Sequence, residues 1–205
     1  MRRDLTLNIV FDFGGVVFKW DPVFIAKTVF CDPLSIEKAQ LIFYHNDWLE
    51  FDRGLISLEE ISKRSALNSG LPLEKISYML QRIPAMMNPI VGTVNLIGRL
   101  KSKGNLIFAL SNMPESSIQY FENNFNFLRL FNGLVISSRV HLLKPELEIF
   151  KYLINEFKLD PKDTIFIDDF PPNLQVASEL GIHSIHFNSP EQCEEELKKY
   201  NVPMI

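Results

Sequence analysis

Cysteine is almost absent from this chain: 205 residues contain two, Cys31 and Cys193. They lie far apart and lack the paired spacing of a thiolate metal site, so two free thiols in a reducing compartment are expected. Long apolar runs are missing too. No stretch approaches the roughly 20 residues that cross a bilayer as a helix. Arg2 and Arg3 precede an apolar run much as in a signal peptide, but Asp4 and Asp12 interrupt that run and no small-residue cleavage site follows. There is no block of Lys or Arg, and the formal net charge is −4. A nucleic-acid partner needs a basic footprint and is therefore not expected. Repeats and low-complexity segments are also lacking. These absences point to a cytoplasmic protein with neither membrane nor nucleic-acid partners. At 46% hydrophobic and 22% charged residues, the chain can build one core domain plus a small insert.

What is present is a set of short apolar runs. Leu7 to Phe11 is rich in strand formers and is closed by Asp12 and the pair Gly14-Gly15. It reads as a buried strand ending in a tight turn. Four more runs follow, Leu106–Leu110, Leu134–Ile136, Thr164–Ile167 and Ser184–Phe187. Helical patterns separate most of them. Glu146–Phe157 carries Ile149, Phe150, Leu153, Ile154 and Phe157 on one face, and Asn173–Leu180 is followed by Gly181 as a C-terminal glycine. Alternating strands and helices predict a doubly wound, Rossmann-like parallel sheet covered on both faces.

Residues 21–87 have a different texture, with helix starts and no convincing strand. Asp21-Pro22 is a cap followed by proline at the first helical position. Ser57-Leu58-Glu59-Glu60 is a capping box, and Gly70 and Pro72 punctuate the end of its helix. The α/β fold is thus expected to be a core of residues 1–20 and 88–205, with a helical cap of 21–87 inserted after the first strand. Phe24, Phe30 and Phe43 are expected to pack the cap helices.

Four segments fall where a doubly wound sheet holds its ligands, at the carboxyl ends of strands. They are Phe11-Asp12-Phe13-Gly14-Gly15-Val16, Leu110-Ser111-Asn112, Leu143-Lys144-Pro145 and Ile167-Asp168-Asp169. Each alone is a common turn or helix entry. In this order and context they resemble the haloacid dehalogenase superfamily, whose members are mostly phosphatases. The resemblance runs over almost the whole chain. The insert resembles the superfamily's first type of helical cap, and Phe51-Asp52-Arg53-Gly54-Leu55-Ile56-Ser57 resembles a turn within such caps.

The resemblance implies a role for each residue. Asp12 would be the nucleophile that forms an aspartyl-phosphate. Asp12, Asp169 and the Gly14 carbonyl would ligate Mg²⁺, a hard cation that prefers oxygen. Ser111 and the Asn112 backbone N–H would bind the phosphoryl oxygens, and Lys144 would neutralise charge on Asp12 and the transferring group. Asp168 would support the metal site from behind. Asn173 would orient the acidic loop, although it reads equally as a plain helix N-cap. The substrate would be a small phosphorylated metabolite.

One position departs from the family pattern. Its phosphatases carry a second aspartate two residues after the nucleophile, as proton donor to the leaving oxygen; here that residue is Gly14. A missing general acid costs about 10²–10⁴ in rate. The gap, with the cap texture, resembles the glucose-1-phosphate phosphatase branch, and a sugar 1-phosphate needs less acid help. The alternative is that another residue supplies the proton, and the cap segment His45-Asn46-Asp47-Trp48-Leu49-Glu50 offers candidates. Two other readings stand beside the phosphatase. A 2-haloacid dehalogenase also lacks the second aspartate but needs no metal. A catalytically silent binding protein could use the same fold. His141, His183 and His186 have no ligand partner at useful spacing, and Glu194-Glu195-Glu196 with Lys198-Lys199 reads as a solvated helix face.

Overall fold

The computed structural model of the protein describes residues 7–203, so Arg2, Arg3 and Asp4 of the leader-like start lie outside it. Strand β1 (Asn8–Phe11) is followed by five helices: α1 (Pro22–Lys27), α2 (Pro33–Leu41), α3 (Asn46–Asp52), α4 (Leu58–Ser69) and α5 (Leu73–Met86). The alternating part comes next, with α6 (Val91–Ser102), β2 (Leu106–Ser111), α7 (Glu115–Asn124), β3 (Gly133–Ile136) and the one-turn α8 (Ser137–Val140). It ends with α9 (Leu147–Phe157), β4 (Thr164–Asp168), α10 (Pro171–Glu179), β5 (His183–His186) and α11 (Pro190–Lys199).

The five strands form one sheet in the order β3-β2-β1-β4-β5, and every pairing is parallel. Side chains alternate between two apolar layers, as the pleat requires. Ile9, Phe11, Ile107, Ala109, Ile165 and Ile167 face the layer built with α6, α7, α11 and the insert. Val10, Phe108, Leu110, Val135 and Phe166 face the layer built with α9 and α10. Burial on both faces explains why the strands read as continuous apolar runs. The expected doubly wound sheet is the fold observed. The strand order reverses at β1, between β2 and β4, and ligands bind at such a point in open α/β sheets.

The insert's helices start where their caps are. Asp21 Oδ1 accepts from the Phe24 N–H at 2.9 Å, and Ser57 Oγ accepts from the Glu60 N–H at 3.1 Å. Each such cap is worth about 1 kcal/mol. The chain leaves and re-enters the core through adjacent segments. The Lys19 N–H donates to the Asn88 carbonyl at 2.9 Å and the Ile90 N–H to the Val17 carbonyl at 2.8 Å.

Two expectations need correction. Phe30 and Phe43 are buried, but Phe24 is 52% exposed. The six-residue α1 buries only Ile25 and Ala26, which leaves Phe24 on its outer side. Helix α10 begins at Pro171, not Asn173, because Pro171 and Pro172 occupy its first positions, where the missing N–H groups cost nothing.

Candidate active site

Three parallel strands deliver the polar residues. Asp12 follows β1, and its N–H donates to the Ile167 carbonyl of β4 at 2.9 Å, which keeps it in line with the sheet. Asp168 ends β4 and is fully buried, and Ser111 ends β2 and is 1% exposed. Lys144 reaches in from the loop before α9. Its ammonium lies 2.9 Å from Asp12 Oδ1 and 2.6 Å from Asp168 Oδ2. The Asn112 side chain holds the Lys144 backbone from both sides, accepting from its N–H at 2.8 Å and donating to its carbonyl at 2.9 Å. Asp168 also accepts from Asn173 Nδ2 at 3.0 and 3.1 Å and from the Phe170 N–H at 2.8 Å. Asn173 thus holds the Asp168 carboxylate by its side chain, while Phe170 takes the N-cap position.

Asp168 is thus saturated by protein donors, whereas Asp169 is exposed and pairs with no cation among the described residues. Gly15 makes room for it. Its φ is +77°, and a Cβ there would lie 2.1 Å from Asp169 Oδ2. Gly14 is different: its φ is not left-handed, and a Cβ would meet only Trp20 Cβ, at 3.9 Å.

Oxygen atoms of Asp12, Asp168 and Asp169 all lie within 4.8 Å of one another. Three carboxylates against the single ammonium of Lys144 leave a formal charge of −2, which a divalent cation offsets. The oxygen-only donors suit a hard metal ion, and Asn173 Oδ1 is a further buried oxygen without a protein partner. The residues present fit such an ion. Burial pushes the Asp12 carboxyl up to about 7 against the pull of Lys144. Burial and the neighbouring Asp168 raise Asp169 as well. Burial alone would lower Lys144, but the charges of Asp12 and Asp168 outweigh it and hold the ammonium protonated. A cation between Asp12 and Asp169 would keep both carboxylates ionised.

Above this floor is a cavity of about 350 Å³. Asp12, Gly14, Asn112, Lys144, Asp169 and Asn173 line its core side, with Phe170 at the edge. The insert supplies the opposite wall from Phe43, Tyr44, Trp48, Leu49, Asp52, Ile83 and Met87, and Trp20 stands at the junction. The aromatic rings pack edge-on in series: Trp20 to Phe43 at 5.3 Å, Phe43 to Trp48 at 4.9 Å, Trp48 to Phe51 at 5.6 Å between centroids.

A family model for haloacid dehalogenase-like hydrolases matches residues 56–187, more than half of the chain. The chain belongs to that family. Among curated relatives of this haloacid dehalogenase-like hydrolase is a sesquiterpene phosphatase of Aspergillus oryzae, 24% identical over 86% of this chain and 87% of the relative. A D-ribitol-5-phosphate phosphatase of Bacteroides thetaiotaomicron is 26% identical over 93% of this chain and 96% of its own. A crystal structure of a family enzyme from Bacteroides thetaiotaomicron, in complex with magnesium and inorganic phosphate, superposes with a TM-score of 0.69. It is 26% identical and covers 89% of this chain and 94% of that one.

Within this hydrolase, the expected acid segment turns out differently. Trp48 and Leu49 reach the cavity, but His45 caps α3 and pairs with Asp47 at 2.9 Å, and both line a separate hollow between α2 and α4. Glu50 pairs with Arg64 at 2.9 Å. Helix periodicity explains the miss, because one face of α3 carries Trp48, Phe51 and Asp52 inward and turns its charged residues out. The carboxyl that residues 21–87 bring to the cavity is Asp52, two residues past the segment. The other histidines bond to backbone. His141 Nδ1 lies 2.9 Å from the Arg53 carbonyl, His183 Nε2 3.1 Å from that of Lys162, and His186 Nε2 3.1 Å from that of Asp169. Ser137 was missed altogether. It is fully buried, accepts from the Met113 N–H at 2.8 Å and donates to the Asp52 carbonyl at 2.5 Å. A serine pair directly after a strand was its only signal in the sequence.

Proposed function

We propose that this chain is a magnesium-dependent phosphatase that works through an aspartyl-phosphate at Asp12 on a small phosphorylated metabolite. The observation that carries the reading is the bridge from Lys144 to both Asp12 and Asp168 on the cavity floor, with Asp169 left unpaired beside it. Asp12 would attack phosphorus. Lys144 would offset the charge that otherwise repels a phosphate dianion, and Ser111 with the Asn112 N–H would hold phosphoryl oxygens. Magnesium, bound by Asp12, Asp169 and the Gly14 carbonyl, would supply positive charge next to the transferring group. Asp168 and Asn173 would keep Lys144 and the acidic loop in place. Residues 21–87 would act as a cap over a core of 1–20 and 88–205.

The finer question is the leaving group. Unless another residue supplies the proton, Gly14 favours esters whose oxygen departs with little help, sugar 1-phosphates among them. The aromatic wall from the insert favours an apolar group, and the sesquiterpene phosphatase among the relatives is in line with that. An apolar phosphomonoester is therefore our preferred substrate class.

The test is phosphate release by the purified protein with Mg²⁺ from an isoprenoid phosphate, a sugar 1-phosphate and an alditol 5-phosphate. Asp12→Asn should lower turnover at least about 10⁴-fold while the protein still folds, since Lys144 keeps Asp168 as its partner, and excess chelator should abolish turnover of wild type. Full activity in either case would refute the mechanism. Halide release from 2-haloacids would replace it by the dehalogenase reading, and inertness toward both substrate classes would leave a binding protein.

A further inference from the structure

The phosphatase reading leaves a proton unaccounted for. When the bond from phosphorus to the ester oxygen breaks, its electron pair goes to that oxygen, which needs a proton unless it is a good leaving group. Position 14 has no side chain to give one. In an in-line displacement the leaving oxygen departs opposite the attacking Asp12. Asp12 lies on the core side of the cavity, and the insert lines the same cavity, which places an insert side chain within reach of that oxygen.

Three carboxyl groups line this cavity: Asp12, Asp169 and Asp52. The first two belong to the nucleophile and the cation. Asp52 is the remaining one, and it lies on the insert side. It is 6% exposed, and among the described residues no cation pairs with its carboxyl.

Its position is fixed from three directions. Its carbonyl accepts the Ser137 hydroxyl at 2.5 Å. The next residue, Arg53, forms a two-pronged pair with Glu146, one arm at 3.0 Å, and its carbonyl meets His141 Nδ1 at 2.9 Å. Gly54, at φ +75°, lies so close to α8 that a Cβ would come within 2.7 Å of the Ser138 carbonyl oxygen. These ties bind the turn carrying Asp52 to the core rather than leaving it to move with an open cap.

We propose that Asp52 is the general acid and base of this enzyme, standing in from the insert for the carboxyl that Gly14 lacks. Resting on the phosphatase reading, the cycle balances as follows. Asp12 bonds to phosphorus while Asp52 gives its proton to the departing oxygen, which leaves as the alcohol. The Asp52 carboxylate then takes a proton from water as that water attacks the phosphorus of the aspartyl-phosphate. Inorganic phosphate leaves, and Asp12 is again a carboxylate. The starting state suits the task. Burial lifts the Asp52 carboxyl to about 8, with the Trp48 indole opposing, the Asp12 charge adding and Lys144 opposing, so it holds its proton at neutral pH.

The experiment compares two apolar esters of similar bulk, an aryl phosphate with an activated leaving group and an alkyl phosphate, in single turnovers that isolate phosphoryl transfer. Wild type should transfer from both at rates within about tenfold of each other. Asp52→Asn should lose about 10²–10³-fold on the alkyl ester and less than about tenfold on the aryl ester, whose turnover also certifies the fold. A Cβ at Gly14 meets nothing closer than Trp20 Cβ at 3.9 Å, so Asp52→Asn combined with Gly14→Asp should recover at least about tenfold on the alkyl ester. A steep leaving-group dependence in wild type, or an equal loss on both esters in a variant that melts like wild type, overturns the assignment of Asp52 and leaves the phosphatase reading intact. If wild type releases phosphate from neither ester, the phosphatase reading itself has failed.

Discussion

The two walls of the cavity are built on opposite principles. On the core side most polar groups are held by another, and Asp169 is the carboxylate left unpaired. Lys144 bridges two aspartates, Asn112 grips the Lys144 backbone, and Asn173 and the Phe170 N–H complete Asp168. The insert side is a run of aromatic rings with one carboxyl among them. A saturated network in a low dielectric is rigid and intolerant of change, because each lost partner leaves a buried charge or dipole exposed to nothing. An apolar wall costs less to alter and discriminates by shape. The core side is thus suited to chemistry common to many phosphate esters, and the insert side to choosing among them.

Lys144 gives the hardest test of this contrast. Lys144→Gln keeps some length but removes the charge between Asp12 and Asp168. Turnover should fall about 10²–10³-fold for every substrate alike. Stability should fall too, since breaking a buried pair costs about 3–5 kcal/mol. Steady-state kinetics and a thermal melt on the same preparation check both. A loss confined to one substrate would place Lys144 in recognition and blur the division between the walls.

Trp48 gives the converse. It is 7% exposed and packs against Phe43 at 4.9 Å within the insert wall. Trp48→Ala should raise KM for an apolar ester roughly tenfold to hundredfold, the equivalent of about 1.5–3 kcal/mol of lost burial. Inhibition by inorganic phosphate, which touches only the floor, should stay where it was. If phosphate inhibition weakened in parallel, the two walls would be coupled rather than separate.

The same contrast explains how far the sequence could be read. Strands buried on both faces announce themselves as apolar runs, and the polar residues at their ends inherit their positions from the sheet. Asp12, Asp168 and Asp169 converge because the parallel pairing of β1 with β4 puts the ends of both strands side by side, and Lys144 reaches them from the loop before α9. The insert wall is set by helix packing, which depends on which residue faces inward at each turn. His45 and Asp52 are both on or beside α3, and only the assembled structure says which one meets the cavity. The tie from Ser137 to the Asp52 carbonyl joins residues 85 positions apart, and nothing local in either segment reports it. Phe24 was misplaced for the related reason that a short helix has too little pattern to reveal its buried side.

The last expected effect concerns the lone acid in the apolar wall and is read as stability rather than rate. Asp52 is raised from the usual 3.8 to about 8 by burial. Between those values the unfolded chain has released this proton while the folded protein keeps it. The folded state then binds more protons than the unfolded state, so stability falls as pH rises from about 4 to about 8. Asp12, raised to about 7 by the same cause, pulls in the same direction unless a cation holds it ionised, so the melts should be run with saturating Mg²⁺. Asp52→Asn removes the titrating group and keeps its shape. Its melting temperature should therefore decline less than that of wild type between pH 5 and pH 8, by about 2–4 °C for each kcal/mol of linkage lost. The sign is opposite to that of an ordinary salt-bridged aspartate, whose depressed pKa adds stability as pH rises, so the comparison tells a neutral buried acid from a charged structural one. Parallel melting curves for the two proteins would mean that Asp52 is ionised in the folded state and has no proton to give at neutral pH.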